Sequence, residues 1–143
     1  MERNITVVKI GGNVIDNEAA LQRFVADFAA LPSPKILIHG GGKLATRLAE
    51  RLEVPTTMIG GRRVTDAATI EIVTMVYAGG VNKRIVAALQ AAGCNALGLS
   101  GADANMIPAV RRSPVPVDYG FVGDIDATKI NVSMLGVMLD AGV

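Results

Sequence analysis

The chain has 143 residues and a formal net charge of +1; half of its residues are hydrophobic, but only 3% are aromatic. So small a charge and so few rings exclude the broad basic surface and the stacking platform of nucleic-acid-binding proteins. A core of Val, Ile, Leu, Ala and Met is typical of parallel sheets covered by helices on both faces. We therefore expect one α/β domain without a nucleic-acid partner.

Features of membrane and secreted proteins are also missing from the sequence. No apolar run approaches the roughly 18 residues that a membrane span needs, and the N-terminus lacks the apolar core of a secretion signal. The single Cys94 cannot form an internal disulfide. We expect a cytoplasmic protein with no membrane partner.

The first part of the chain predicts two strands, each followed by a glycine turn and a helix. The first strand runs to Ile10 and ends at Gly11-Gly12, and the second, Ile36 to Ile38, ends at His39-Gly40-Gly41-Gly42. Both glycine turns therefore sit at strand ends. Helical spacing of apolar residues follows each turn: Leu21, Phe24, Val25 and Phe28, then Leu44, Leu48 and Leu52.

A hairpin and a long apolar helical region are predicted next. Thr56 to Thr65 contains two short extended pieces around Gly60-Gly61, as in a hairpin that could serve as a lid. A helix then runs from about Asp66 to Tyr77, with apolar side chains around almost its whole circumference. Gly79-Gly80 is expected to interrupt it before a second helix begins.

The rest of the chain predicts a third strand, a hairpin and a final helix. Asn95 to Leu99 is apolar and precedes Ser100-Gly101, which predicts a buried strand. Ile107 to Ile125 contains prolines and alternating valines, typical of an edge hairpin or a long loop. Asp126 is expected to cap a last helix. That apolar helix ends at a C-cap glycine, where an α/β chain would enter its next strand, so we expect the front part of a longer protein.

Lys9 and the Gly11-Gly12 turn are the first candidates for chemistry. Glycine lets the backbone approach a ligand and direct its N–H groups toward it, while a lysine ammonium adds a compact positive charge. This combination suits a phosphoryl group. The alternative is a tight turn that binds nothing.

Three other features each allow two interpretations. Gly40 to Ala45 fits the loose dinucleotide pattern G-x-G-x-x-A, but no acidic residue ends a further strand about 20 residues on, as a ribose contact requires. His39 is either a general base or a backbone anchor for its loop. Arg62-Arg63 is either a solvated pair or a planar fork that the hairpin carries over a carboxylate.

Five motifs resemble, in order and spacing, the amino acid kinase family, most closely its N-acetylglutamate kinases. They cover essentially the whole chain and match the N-terminal half of that family. The resemblance implies a three-layer αβα sandwich with a mainly parallel central sheet, incomplete here. The motifs are Val7-Val8-Lys9-Ile10-Gly11-Gly12-Asn13, His39-Gly40-Gly41-Gly42, Gly61-Arg62-Arg63-Val64-Thr65, Val81-Asn82-Lys83 and Leu97-Gly98-Leu99-Ser100-Gly101-Ala102-Asp103.

The resemblance also implies roles for individual residues. Lys9 would be catalytic and stabilise the transferring phosphoryl group, and Gly11 and Gly12 would hold the terminal phosphates of ATP, which brings Mg²⁺ with it. Gly41 and Gly42 would contact the acyl amino acid, and Arg63 would hold one of its carboxylates. The protein itself would supply no metal ligands. Lys43 departs from the family, because many relatives have proline at this position.

The implied reaction is ATP-dependent phosphorylation of the side-chain carboxylate of N-acetylglutamate, or of N-succinylglutamate, in arginine biosynthesis. Residues 1–143 would form the domain for acyl-amino-acid binding and dimerisation, and the nucleotide-binding domain would lie outside this chain. A carboxylate acceptor is already ionised and needs no base, which fits a sequence poor in candidate bases. The alternatives are a non-catalytic or regulatory module of the same fold, or a dinucleotide-binding domain.

A homodimer is expected across the helix from Asp66 to Tyr77. Apolar residues on nearly every side cannot all face one sheet, and an exposed apolar surface of that size favours association. The alternative is that the hairpin of Ile107 to Ile125 covers the outer face within one chain.

Overall fold

A parallel pair of strands organises the protein in the computed structural model, which describes residues 4–143. The first three residues of the domain expected over 1–143 lie outside the described residues. Strand β1 (Thr6–Ile10) pairs in parallel with β2 (Lys35–His39), and Ile10 lies opposite His39. Between them the chain forms α1 (Gly12–Ile15) and α2 (Glu18–Ala30). The α/β class is confirmed, and the parallel sheet is present as this two-stranded pair.

Helices after each strand bury their predicted apolar faces in the core. The Asn17 side chain caps α2 by accepting a 3.0 Å hydrogen bond from the Ala20 amide. In α3 (Gly42–Arg51), the fully buried positions are alanines. Leu52, the last residue of the predicted helical spacing, follows the end of that helix and is 53% exposed. The buried residues in these two helices are Leu21, Val25, Phe28, Ala45 and Ala49.

The hairpin predicted after α3 is confirmed. Strands β3 (Thr57–Ile59) and β4 (Arg62–Val64) are antiparallel. Gly60 and Gly61 turn the chain at φ of +55° and +76°, a backbone region that favours glycine. The hairpin thereby returns Arg63 toward α3.

One continuous helix, Ala67–Ala91, replaces the two predicted helices. It consists of α4 (Ala67–Thr74), a π-helical segment (Met75–Val81) and α5 (Asn82–Ala91). The predicted interruption at Gly79-Gly80 is wrong, because the chain accommodates both glycines in wider π-helical turns and continues.

Continuity of this helix also corrects the expectation that no apolar run approaches a membrane span. Its 25 residues have a mean hydropathy of 1.2, which is long and apolar enough to cross a membrane by length and composition alone. Its buried side chains, however, join the hydrophobic core with those of α2 and α3, as in the core helix of a globular domain. They include Ile72, Val76, Val81, Ile85 and Leu89.

Packing within the chain accounts for much of the apolar circumference from which a dimer was expected. Ile72 is 3% exposed and Val76 is 8% exposed, so neither can lie at a subunit interface. Met75 is 54% exposed on the same helix. The homodimer stays a prediction, and any contact through this helix would involve Met75 and its exposed neighbours.

The third strand predicted over Asn95 to Leu99 is wrong: this segment is extended but pairs with no strand among residues 4–143. An apolar cleft of about 1080 Å³ lies between it and β2, so no neighbouring strand is within reach. Side chains of α5 bind its carbonyls instead, because Gln90 donates to the Ala96 carbonyl and Lys83 to the Gly98 carbonyl. Leu97 consequently remains 56% exposed.

The final part of the chain forms a hairpin and a short helix. Strands β5 (Ala109–Arg111) and β6 (Gly123–Ile125) pair in antiparallel fashion, which confirms the predicted hairpin. Asp126 caps only a 3₁₀ turn, Ala127–Lys129, so the predicted helix start is wrong. The Asn131 side chain caps the helix α6 (Val132–Asp140) because Ile130 has an extended backbone that ends the turn.

Gly120 anchors the second hairpin to the end of β4, and we expect Gly120→Ala to destabilise the protein. Its φ is +74°, where a side chain costs about 1–2 kcal/mol, and an added Cβ would overlap the Thr65 carbonyl oxygen. Two hydrogen bonds hold Thr65 here: its amide donates to the Tyr119 carbonyl, and the Phe121 amide donates to the Thr65 carbonyl. The added side chain would strain both bonds. Urea denaturation should show a lower free energy of unfolding.

Gly136→Ala provides the matched control, because Gly136 lies inside α6 and an added Cβ would meet nothing within 4 Å. Removing a glycine from a helix interior should stabilise the protein by about 0.5–1 kcal/mol. If the two variants had equal stability, the tight contact at Thr65 would be contradicted.

Candidate active site

Both glycine turns lie at the same edge of the sheet because the two strands are parallel and in register. Ile10 lies opposite His39 at the ends of the two strands. Gly11, which follows β1, and Gly40, which follows β2, are therefore neighbours. Helices α1 and α3 start directly after these turns, and neither start has a side-chain cap. The first backbone N–H groups of a helix have no partner inside the helix. Amide donors therefore lie at this edge, where they are available to an anion.

A cavity of about 370 Å³ lies between the two turns. This volume is within the range of small-ligand pockets, about 300–1,000 Å³. The Lys9 ammonium reaches the same place, since its Nζ lies 4.0 Å from the point where a Cβ on Gly11 would be. The structure thus brings the predicted phosphate-binding residues together, while their binding roles stay predictions. The cavity is lined by Gly11, Gly12, Asn13, Val14, Gly42 and Lys43.

Charged side chains surround Gly12 closely. A Cβ at Gly12 would lie 3.3 Å from Asp16 Oδ2 and 3.7 Å from Lys43 Cδ, so a larger residue would push on both. Asp16 is 14% exposed and lies 3.4 Å from Arg47 Nη2. That distance gives an ion pair without a hydrogen bond, and neither Asp16 oxygen accepts a hydrogen bond from the residues that the structure describes.

Tyr77 packs against the second glycine turn. A Cβ at Gly41 would lie 2.9 Å from Cδ1 of the Tyr77 ring, a separation that real Cβ contacts do not tolerate. The phenol oxygen of Tyr77 lies 3.5 Å from the corresponding point at Gly42. Gly41 therefore makes room for the ring, whereas a Cβ at Gly42 would make an ordinary van der Waals contact. The sequence pattern placed Tyr77 on an apolar helix and gave no signal of this contact.

Arg63 connects the first hairpin to the start of α3. Its Nη2 donates to Thr46 Oγ1 at 2.8 Å and to the Gly42 carbonyl at 3.3 Å, and its Nη1 donates to Thr56 Oγ1 at 3.3 Å. A guanidinium has five N–H donors, so these three bonds leave capacity for a carboxylate. The hairpin does carry Arg63 to the glycine turn, whereas Arg62 is exposed.

His39 anchors its loop through both ring nitrogens. Nδ1 lies 3.0 Å from the Gly40 carbonyl, so this nitrogen carries the proton and donates it. Nε2 then accepts a 3.0 Å hydrogen bond from the side-chain amide of Asn82, through Nδ2. With both nitrogens engaged in this way, the interpretation of His39 as a backbone anchor is favoured over that of a general base.

Asn82 is a site residue whose role the sequence did not predict. It is 6% exposed and links His39 to the extended segment that follows α5. An added Cβ at Gly98 would overlap Asn82 Oδ1, and the Lys83 ammonium bonds both that oxygen and the Gly98 carbonyl. The available signal was its place in the motif Val81-Asn82-Lys83.

The chain matches known proteins along essentially its whole length. The model of the amino acid kinase family matches residues 4–143. Acetylglutamate kinase of Bacteroides thetaiotaomicron is 50% identical over 143 residues, which are 100% of this chain and 55% of that protein. Acetylglutamate kinase of the archaeon Methanopyrus kandleri is 43% identical over 95% of this chain and 53% of its own length. The chain spans about half the length of the curated relatives it matches.

Solved structures share the fold. The smu.665 protein of Streptococcus mutans superposes with a TM-score of 0.76 at 25% identity, over 96% of this chain and 55% of that one. N-acetylglutamate synthase of Neisseria gonorrhoeae, in complex with coenzyme A and N-acetyl-glutamate, superposes with a TM-score of 0.75 at 26% identity. The match covers 96% of this chain and 31% of the synthase.

Asp103 should make the stability of the Ser100-Gly101 turn depend on pH. Its carboxylate accepts hydrogen bonds from the Ser100 amide at 2.6 Å and hydroxyl at 2.7 Å, and these bonds lower the pKa of Asp103 below its usual value of 3.8. A lowered pKa stabilises the fold at pH values above 3.8, and this stabilisation is lost as the pH falls through the folded-state pKa. Wild type should therefore be more stable than Asp103→Asn at pH 7.

This stability difference should disappear in strong acid. The Ser100 amide signal in NMR spectra should titrate with a midpoint below pH 3.8 in wild type and should not titrate in the variant. A midpoint above 3.8 would show that these hydrogen bonds do not favour the carboxylate.

Proposed function

Because the chain belongs to the amino acid kinase family, as its motifs predicted, we propose that it forms part of an enzyme that phosphorylates the side-chain carboxylate of N-acetylglutamate or N-succinylglutamate. ATP would be the phosphoryl donor and an acyl phosphate the product. The observation that carries the proposal is the shared cavity at the strand ends, which Gly11, Gly12 and Gly42 line and near which the Lys9 ammonium lies beside Gly11.

The proposed phosphoryl transfer fits the donors and charges at this cavity. Phosphoryl transfer depends mainly on positioning and on stabilising negative charge at the equatorial oxygens. Lys9 supplies a cation, and Gly11 and Gly12 supply backbone N–H groups. A carboxylate acceptor has lost its proton at pH 7, so the hydrogen-bonded His39 is not required as a base.

The acyl-glutamate would bind beside the second glycine turn. Gly41 and Gly42 would contact it, and the free donors of Arg63 would hold one of its carboxylates. The similar fold of the gonococcal synthase, which has N-acetyl-glutamate in its complex, supports this class of ligand. The names of the curated relatives, acetylglutamate kinase, support N-acetylglutamate as the acceptor. The proposed activity would belong to arginine biosynthesis and would take place in the cytoplasm.

The proposal divides the active site between two halves. Residues 1–143 would bind the acyl amino acid and part of the polyphosphate. The rest of ATP would bind to a second half, which corresponds to the part of the relatives that this chain does not span. Mg²⁺ would arrive on the nucleotide phosphates. Magnesium would neutralise charge on the transferring group.

A second candidate function is ligand binding without phosphoryl transfer. The gonococcal neighbour is named a synthase rather than a kinase, so the fold alone does not imply kinase activity. Binding and turnover must therefore be measured separately.

We expect the 143-residue chain to bind N-acetylglutamate and Arg63→Ala to weaken this binding. Loss of a hydrogen bond between charged groups should raise Kd by about tenfold or more. Isothermal titration calorimetry would measure the affinity. Arg62→Ala is the matched control, because it removes the same charge from the neighbouring exposed residue. Equal weakening by both variants would contradict a specific role for Arg63, and no binding by folded wild type would contradict the proposed substrate site.

Turnover is expected only when the second half is present. The chain alone should show none, whereas a chain extended with the remaining part of the Bacteroides thetaiotaomicron relative should turn over ATP with an N-acylglutamate. In the extended protein, Lys9→Ala should lower kcat by about 100-fold, because its charge is needed as the phosphoryl group moves. Arg63→Ala should chiefly raise KM.

Coupled ADP-release assays would measure both parameters. The reverse pattern, with Lys9 affecting KM and Arg63 affecting kcat, would contradict the assigned roles. Turnover by the 143-residue chain alone would contradict the division of the site.

A further inference from the structure

Lys43 lines the cavity between the glycine turns, and among residues 4–143 no other basic residue does so. It is the second residue of α3, and its aliphatic stem passes Gly12, whose added Cβ would lie 3.7 Å from Cδ. The Lys43 ammonium donates a 3.3 Å hydrogen bond to Asn13 Oδ1, and Asn13 directly follows the first glycine turn. Lys43 therefore spans the cavity mouth from one glycine turn to the other.

The surrounding charges leave the Lys43 ammonium available to an anion. Asp16 is the nearest carboxylate to the turn, but Arg47 lies 3.4 Å from it and compensates its charge. No ion pair among residues 4–143 includes Lys43. An ammonium has three donors, and the single 3.3 Å bond to a neutral amide oxygen engages one of them.

We propose that Lys43 is a second phosphate-binding lysine, which donates to a non-bridging oxygen of the polyphosphate that occupies this cavity. Lys9 would approach the ligand from the β1 side and Lys43 from the α3 side. Proline at this position could offer neither charge nor donor, so the lysine gives this chain a tighter hold on polyphosphate. The inference rests on the proposed phosphate site and assigns it a further ligand.

Tripolyphosphate is a suitable probe, because it has the charge and geometry of a nucleotide tail without the base. The ¹⁵N-labelled chain would be titrated with it, and the amide signals of Gly11, Gly12 and Gly42 would report binding. Lys43→Gln should raise Kd by about five- to tenfold through loss of a charged hydrogen bond. Lys43→Arg keeps the charge, and its Kd for tripolyphosphate should be close to that of wild type.

Arg51→Gln is the matched control, because it removes one positive charge from the same helix. Arg51 is exposed and lies eight residues further along α3, about 12 Å away at 1.5 Å per residue. The Arg51→Gln variant should bind tripolyphosphate with a Kd within twofold of that of wild type. Unchanged signals from α2 and α5 would confirm that each variant is folded.

Two results would overturn the inference, and they are distinguishable. If Lys43→Gln binds like wild type while Lys9→Gln binds weakly, the phosphate site is real and Lys43 is not part of it. If tripolyphosphate moves none of the three glycine signals in wild type, the phosphate site itself is wrong, and the proposed function fails with it.

Discussion

The parallel pairing of β1 with β2 is the constraint on which the rest of the site depends. Parallel strands end at the same edge of a sheet, and the pairing of Ile10 with His39 brings both chain exits to the same level. A shift of one residue would separate the two glycine turns and turn every strand side chain to the other face. Helices α1 and α3 could then no longer direct their first amides into one cavity. The site therefore exists because strand register is fixed by the core beneath it.

Close packing explains why glycine occupies two positions beside the helix Ala67–Ala91. Gly41 leaves room for the Tyr77 ring, and Gly98 leaves room for Asn82 Oδ1. Both partners belong to the long central helix, so this helix supports the second turn and the extended segment at once. Anchored turns need no reorganisation when a ligand arrives, and preorganised donors stabilise charge more effectively than mobile ones. The same helix also supplies Asn82, whose side chain holds His39 by a hydrogen bond. This bond leaves the ring less free for proton transfer.

Local patterns in the sequence predicted the first strands, the glycine turns and both hairpins because each is determined by neighbouring residues. The family motifs predicted which residues would meet at the strand ends. Features that depend on distant contacts could not be predicted in this way. Asn95 to Leu99 has the composition of a strand but no partner strand within reach. Gly79-Gly80 has the composition of a break, yet the core contacts of Val76 and Val81 on either side hold the helix together through π-helical turns.

The distribution of charge favours a small anion as the ligand. The chain has a net charge of only +1, so an anion would be attracted by the local arrangement of cations rather than by the net charge of the chain. Three of its fourteen basic residues lie together at one edge of the sheet, where Lys43 lines the cavity, Lys9 lies beside Gly11, and Arg63 bonds the Gly42 carbonyl. Free backbone amides add directional donors that hold phosphate oxygens without a further formal charge. A site of this kind would act at hydrogen-bonding distance, where the directions of its donors match the shape of a phosphate or carboxylate.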